Sequence, residues 1–411
     1  MELLTIITVL IVLAALFGFI NIKFLKLPST IGLLVISIFF TAGFLIVGSF
    51  NEKISEFSHN FVTGIDFKTI LLDVMLSFLL FAGALHINMD KLKKQSGPII
   101  IFSTVGVILS TFIVGTLFYY MLMLIGLPID YIYALLFGAI ISPTDPIAVL
   151  GILKEAKAPK SLEIKIVGES LFNDGVALVV FITIFGIAKA GIQEATVSHI
   201  AVLFAKEVVG GIVLGGVIGY LVYLMLKSID HYETEIIITL AMVMGVYWLA
   251  HTLHFSGPLA VVVGGLFIGN KARESALSDE TERYLDKFWE IIDVILNAVL
   301  FVLIGLELMI LTFDGKYIIA GIIAIPIVLV ARYAVLSLPI KFFKKRLDLV
   351  PKTSLIMTWG GLRGGISIAL ALSLTQSMQN ELILTVTYIV VIFSIVIQGL
   401  TLKPMIKKFI K

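Results

Sequence analysis

The chain reads as an all-α polytopic membrane protein of about thirteen transmembrane helices, with two inverted six-helix repeats and broken helices 5 and 12. Three observations predict this. Hydrophobic residues make up 59% of the 411 and charged ones only 14%, against about 25% charged in soluble domains. Apolar runs of about 20 residues, enough to cross a bilayer core, recur along the whole chain. The connections between them are alternately rich and poor in Lys and Arg, as the positive-inside rule requires.

In order, the runs fall at residues 3–21, 29–50, 69–88, 98–125, 130–152, 161–187, 200–226, 233–253, 256–270, 287–312, 317–339, 353–375 and 380–402. The first has no basic segment before it and no small-residue cleavage site after it, so it is expected to be a retained helix. The ninth is short and Gly-rich and suits a tilted helix or one half-buried in protein. The loops after segments 1, 3, 5, 7, 9, 11 and 13 hold 21 of the 30 basic residues, and the alternate loops hold 4. One missed helix would scramble that asymmetry. The register therefore places the N-terminus outside and the C-terminus in the cytoplasm of a cell membrane. Lys341, Lys344, Lys345, Arg346, Lys352 and the tail from Lys403 to Lys411 carry most of this signal, and orientation beside anionic lipid is reason enough for them. The external loop 51–68 mixes charge signs and is assigned no site. The loop 271–286 is expected to form a solvated cytoplasmic helix or cap. No linker divides the chain, so residues 1–411 read as one membrane domain, with repeats near 1–190 and 230–405 joined by segment 7.

Composition also excludes chemistry. Without cysteine there is no disulfide framework, thiolate metal site or cysteine nucleophile. A net charge of +2 points to no nucleic-acid partner, and no cofactor is expected.

Three runs are interrupted by polar residues. Segment 5 carries Ser142-Pro143-Thr144-Asp145-Pro146 at its middle; each proline removes a donor and clashes with the turn before it, so the helix should unwind and free carbonyls. Unwound backbone at membrane depth is tolerated only where protein buries it or it lines a water-filled cavity. Segment 12 carries Gly360-Gly361-Leu362-Arg363-Gly364-Gly365. Packing would explain the glycines, but an arginine that cannot shed its proton must find acceptors. Segments 5 and 12 lie seven helices apart, so six-helix halves with that offset would be inverted, and broken helices at matching places in such halves point to a transporter's midplane site. Segment 6 carries Gly168-Glu169-Ser170-Leu171-Phe172-Asn173-Asp174-Gly175. Ser170 and Asp174 share one helix face, and Glu169 and Asn173 share the neighbouring one. Intramembrane carboxylates cost at least about 2.5 to 3.5 kcal/mol on insertion scales, which makes them functional candidates by default.

With SPTDP, GESLFNDG and GGLRGGISIALAL in this order on these helices, the chain resembles the bacterial sodium/proton antiporters of the cation:proton antiporter-1 family, the NhaP type. The resemblance implies a fold of two inverted repeats in which broken helices 5 and 12 cross in a core bundle, a homodimer formed through a separate interface domain, and Asp174 as the carboxylate that binds cation and proton in turn. It makes Asn173 the amide of an Asn-Asp pair, Thr144, Asp145 and Ser170 the cation-site neighbours, and Glu169 with Arg363 a structural ion pair. The chain departs from the pattern at Ala82 in segment 3, near which several relatives carry an acid that reaches the ion through water; Asp73, about 13 Å along a helix, is too far to replace it.

Smaller expectations concern the remaining intramembrane polar groups. Arg332 should partner a core carboxylate, since a buried arginine needs one. His251 and His254 sit near a helix end and read as interfacial, with a pH-sensing role open. Glu207, Glu290, Asp293, Asn297 and Glu307 either line an entry funnel or pair within the bundle, and Lys206 with Glu207 reads as structural.

The reading that follows is antiport of Na+ against H+ serving pH homeostasis, electroneutral at one for one because Asn173 is neutral where a second carboxylate could stand. A hard alkali cation wants oxygen ligands, here Asp174, Ser170, Thr144 and the carbonyls freed by the prolines. K+/H+ exchange on the same fold is the alternative. A cation channel would need a filter-like repeat, which the sequence lacks. An intramembrane aspartyl protease would use Asp145 and Asp174 as a dyad, and the prolines flanking Thr144-Asp145 fit transport better.

Overall fold

A computed structural model describes residues 3–51, 62–94, 96–190, 197–311, 314–343 and 352–409, and among these there is no strand. In chain order the helices are α1 (Leu4–Leu25), α2 (Ser29–Phe50), α3 (Thr69–Leu85), α4 (Ile99–Leu124), α5a (Tyr131–Ile140), α5b (Pro146–Glu155), α6 (Lys160–Lys189), α7 (Val202–Lys227), α8 (Tyr232–Leu253), α9 (Gly257–Phe267), α10 (Asp279–Ile310), α11 (Gly315–Ile340), α12a (Thr353–Trp359), α12b (Gly365–Leu372) and α13 (Asn380–Phe409). Among the described residues nine helices are long and apolar enough to span a membrane unaided. The other four expected runs are α3, the two broken helices and α9, whose apolar residues from Leu259 to Val262 are buried in protein. Lys344, Lys345 and Arg346 of the basic cluster and residues 52–61 of the external loop lie outside the described residues.

The breaks lie where backbone chemistry puts them. Pro146 opens α5b at its first position, where a missing N–H costs nothing. α12a stops at Gly360 and the helix resumes at Gly365. The two unwound strands touch: the Asp145 N–H donates to the Leu362 carbonyl at 2.7 Å. Close packing around the crossing depends on absent side chains, since a Cβ on Gly115 or Gly138 would overlap the backbone of the facing helix.

Packing repeats with an offset of seven helices. α3 lies on α9 as α10 lies on α2; α4 lies on α5a as α11 lies on α12a; and α6 packs on the start of α4 as α13 packs on α11. The packing thus recurs between the two halves that the break positions set off. One boundary differs from the sequence reading. The second half of the stretch 271–286 is not a separate cap but the beginning of α10, which starts at Asp279 with the Ser278 hydroxyl accepting from the Thr281 N–H at 3.3 Å. Acidic residues in the first turn complement the helix dipole, and Arg273 ties this extension down through Glu282 and Asp286.

Candidate ion-binding site

The site forms where α6 passes the crossing of the two broken helices. Glu169, Ser170, Asn173 and Asp174 of α6, Thr144 of the first break and Arg363 of the second are all buried, and Asp145 is partly so. The two faces of α6 have different tasks. On one, the Asn173 amide donates to the Thr144 hydroxyl at 2.8 Å and to Glu169 Oε1 at 3.2 Å, while its own oxygen accepts from the Thr144 N–H at 3.2 Å. The helix and the unwound strand are thereby laced together by one side chain. On the other face, the Ser170 hydroxyl meets that of Thr144 at 2.8 Å, and Asp174 turns toward a cavity.

Glu169 does not pair with Arg363, the partner that the family resemblance implies. The guanidinium that grips Glu169 is Arg332 of α11, with Nη1 to Oε1 at 3.1 Å and Nη2 to Oε2 at 2.8 Å. Two parallel bonds of this kind are the strong, oriented form of the interaction. Arg332 therefore partners a core carboxylate as expected. Arg363 instead donates through Nη1 to the carbonyls of Ser142 at 2.6 Å and Pro143 at 2.9 Å. A cation at the end of α5a answers both its dipole and its orphan carbonyls. Carbonyls freed by the prolines were expected as cation ligands, and of those at this break the Ser142 and Pro143 carbonyls accept from Arg363.

What remains for a ligand is a cavity of about 50 Å³ bordered by Asp174, Thr144, Asp145, Asn297 and Ser367 among apolar side chains, room for a few water molecules. Two of its oxygens are buried with no hydrogen-bond partner, Asp174 Oδ1 and Ser367 Oγ. Buried polar atoms are rarely left so. A buried carboxylate oxygen without a donor can take up a proton or a hard cation, and a hydroxyl beside it can serve either. Ser367 was passed over in the sequence because a hydroxyl in an apolar helix usually bonds its own preceding turn, as Thr183 and Thr387 do here.

Other expected residues fall elsewhere. Ala82 is buried but does not border the cavity; its neighbour Gly83 does. Asp293 and Asn297 line a second cavity of about 510 Å³ between α1, α2, α5b and α10, and the Asn297 amide donates to Asp293 Oδ1 at 3.0 Å. Asn297 borders both cavities and stands between the larger one and Asp174. Glu290 pairs with Lys287 at 2.9 Å on the surface. Glu307 is buried, its Oε2 without a partner, and it borders neither cavity. The Glu207 carbonyl accepts from the Ser256 N–H at 3.0 Å, a structural tie. His251 and His254 are exposed at the end of α8.

The transmembrane sodium/hydrogen exchanger model matches residues 10–408. The chain belongs to the sodium/hydrogen exchanger family. It is 48% identical to the Na(+)/H(+) antiporter NhaP of Pseudomonas aeruginosa, over 97% of this chain and 95% of that one. It is 34% identical to the Na(+)/H(+) antiporter NhaH of Halobacillus dabanensis, over 94% and 93%. Among solved structures, the sodium proton antiporter MjNhaP1 of Methanocaldococcus jannaschii superposes with a TM-score of 0.76 at 20% identity, covering 100% of this chain and 99% of that one. That likeness extends to the fold.

Proposed function

We propose that the protein exchanges Na+ for H+, one for one, with Asp174 holding each in turn. The observation that carries this is the buried Asp174 Oδ1, which meets no donor and opens on a cavity shared with hydroxyl and carboxylate oxygens. A carboxylate with one free oxygen takes a proton or a cation but not both together, and exclusive occupancy couples the two fluxes. Thr144, Ser170, Asp145 and Ser367 complete an all-oxygen environment of the kind hard cations select. Asn173 holds α6 against the unwound segment at Thr144 and the Glu169–Arg332 pair holds it against α11, so the site is braced on the side away from the cavity. Arg363 keeps α5a ended where it must end.

In this reading the repeats run near 1–190 and 230–405, and the protein sits as a homodimer in the cell membrane with its N-terminus outside and its C-terminus in the cytoplasm. The 510 Å³ cavity then opens to the cytoplasm, because it lies at the end of α1 and α5b. The relatives from Pseudomonas aeruginosa and Halobacillus dabanensis are Na+/H+ antiporters, which supports sodium as cargo over potassium.

The test is a proteoliposome assay with an imposed proton gradient, in which Na+, K+ or Li+ is added and the recovery of a pH-sensitive dye is followed. Sodium-driven recovery in the wild type and none in Asp174→Asn, with the mutant folded and monodisperse, is the expected outcome. Exchange in that mutant comparable to wild type would remove Asp174 from the centre of the mechanism, and a response to K+ alone would replace the cargo.

A further inference from the structure

We propose that Asn297 of α10 is an oxygen ligand of the cation that Asp174 binds, and that Asp293, one turn before it, is the residue that turns the amide oxygen toward the ion. This rests on the antiport reading above. It adds to the site a helix that has no part in α6 or in the two breaks.

An asparagine amide carries two N–H donors on its nitrogen and one acceptor oxygen. In Asn297 the nitrogen is committed to its own helix: Nδ2 donates to the Asp293 carbonyl at 2.8 Å and to Asp293 Oδ1 at 3.0 Å. Those partners decide which end of the amide faces them, since the amide turned over would set its oxygen against the backbone carbonyl. The oxygen is therefore directed away from Asp293. It is buried and has no hydrogen-bond partner.

Asn297 borders the 50 Å³ cavity together with Asp174 and Ser367. To Asp174 Oδ1 and Ser367 Oγ it adds a third buried oxygen without a partner, and one cavity collecting three such atoms needs a cause. With its donors engaged, Asn297 offers the cavity no N–H, so it cannot satisfy the Asp174 carboxylate. Two acceptor oxygens on one small cavity are satisfied together only by something positive between them. A hard cation held by carboxylate, amide and hydroxyl oxygens does this. A proton does it less well, because on Asp174 it makes one hydrogen bond, whereas a cation draws on every oxygen around it. Asn297 thus weights the site toward the cation. Asp293 borders the larger cavity rather than the small one, so it acts on the ion through Asn297 and is a positioning residue. An asparagine that merely closed its own helix turn would use Nδ2 alone and leave cation affinity untouched.

The test follows sodium-driven recovery of a pH-sensitive dye in proteoliposomes over a range of Na+ at fixed pH. The variants are Asn297→Ala, Asn297→Leu, which keeps the branched shape without polar atoms, Asp293→Ala, Asp293→Asn, and N297A with D293A together. Loss of one oxygen ligand should raise the half-saturating Na+ concentration about tenfold in both Asn297 variants, with maximal rates within about twofold of wild type. D293A frees the amide to turn and should raise that concentration about threefold. D293N keeps an oxygen to accept from Nδ2 and should restore wild-type affinity, and the double variant should be no weaker than N297A alone. For a variant that folds but does not transport, the Na+ concentration that half-maximally raises the melting temperature of the purified protein gives the same comparison. Unchanged half-saturation in both Asn297 variants, or lower maximal rates without a change in it, overturns the ligand assignment. D293N as weak as D293A overturns the positioning role. The antiport reading fails separately: no sodium-driven flux in the wild type counts against it, while wild-type flux with affinity unmoved by these substitutions counts against Asn297 alone.

Discussion

Two carboxylates on one helix meet opposite fates. Glu169 is held by a bidentate guanidinium and an amide, whereas Asp174 keeps an oxygen with no donor. Removing one member of a buried pair strands the other at about 3 to 5 kcal/mol, so Glu169→Gln and Arg332→Ala should each lower the melting temperature of the purified protein markedly. A double-mutant cycle between Glu169 and Arg332 should give a larger coupling energy than one between Glu169 and Arg363; the reverse order would undo the pairing seen here. Asn173→Asp is a sharper probe. The amide donates to both Thr144 and Glu169, and an ionised carboxylate can donate to neither, so the mutant should need a proton to fold well and should melt higher in acid than at neutral pH. Equal melting at both would show that the amide's donors are dispensable. The need for a buried cation near Glu169 was legible from charge alone. Which arginine supplied it was not, because Arg332 and Arg363 are both distant in sequence and only the crossing of the helices decides between them.

Among elements, the broken helices were the most legible, since proline and glycine act on their own backbone. Less legible was what the freed groups would do. The carbonyls at the end of α5a face the other break's arginine rather than the cavity, a long-range outcome that local propensity does not contain. Likewise α10 runs on past its apolar stretch because Ser278 and the acidic first turn begin a helix that hydropathy ignores. The tightness of the crossing gives a prediction. A Cβ on Gly364 would press on the Asp145 carboxylate, so Gly364→Ala should abolish sodium-driven exchange while leaving a monodisperse protein. Wild-type rates in that mutant would mean that the strands are free to part.

At the level of the whole molecule, the succession of apolar helices among the described residues followed from hydropathy, and the two breaks from proline and glycine. If Glu169 stays bound to Arg332 throughout the cycle, the carrier crosses with the same charge whether Asp174 holds Na+ or H+. Exchange rates measured with the membrane potential clamped at zero and at a negative value should therefore agree. A rate that follows voltage would require a second proton per cycle.

The Glu169–Arg332 clamp then has a consequence for the cell. A carrier blind to voltage comes to rest when the inside-to-outside ratio of sodium equals that of protons, and it runs backwards past that point. It works as a tie between two concentration ratios, so the pH difference it can sustain is set by however steep a sodium difference other machinery maintains, and an acidic interior draws sodium in as readily as a salty one draws protons.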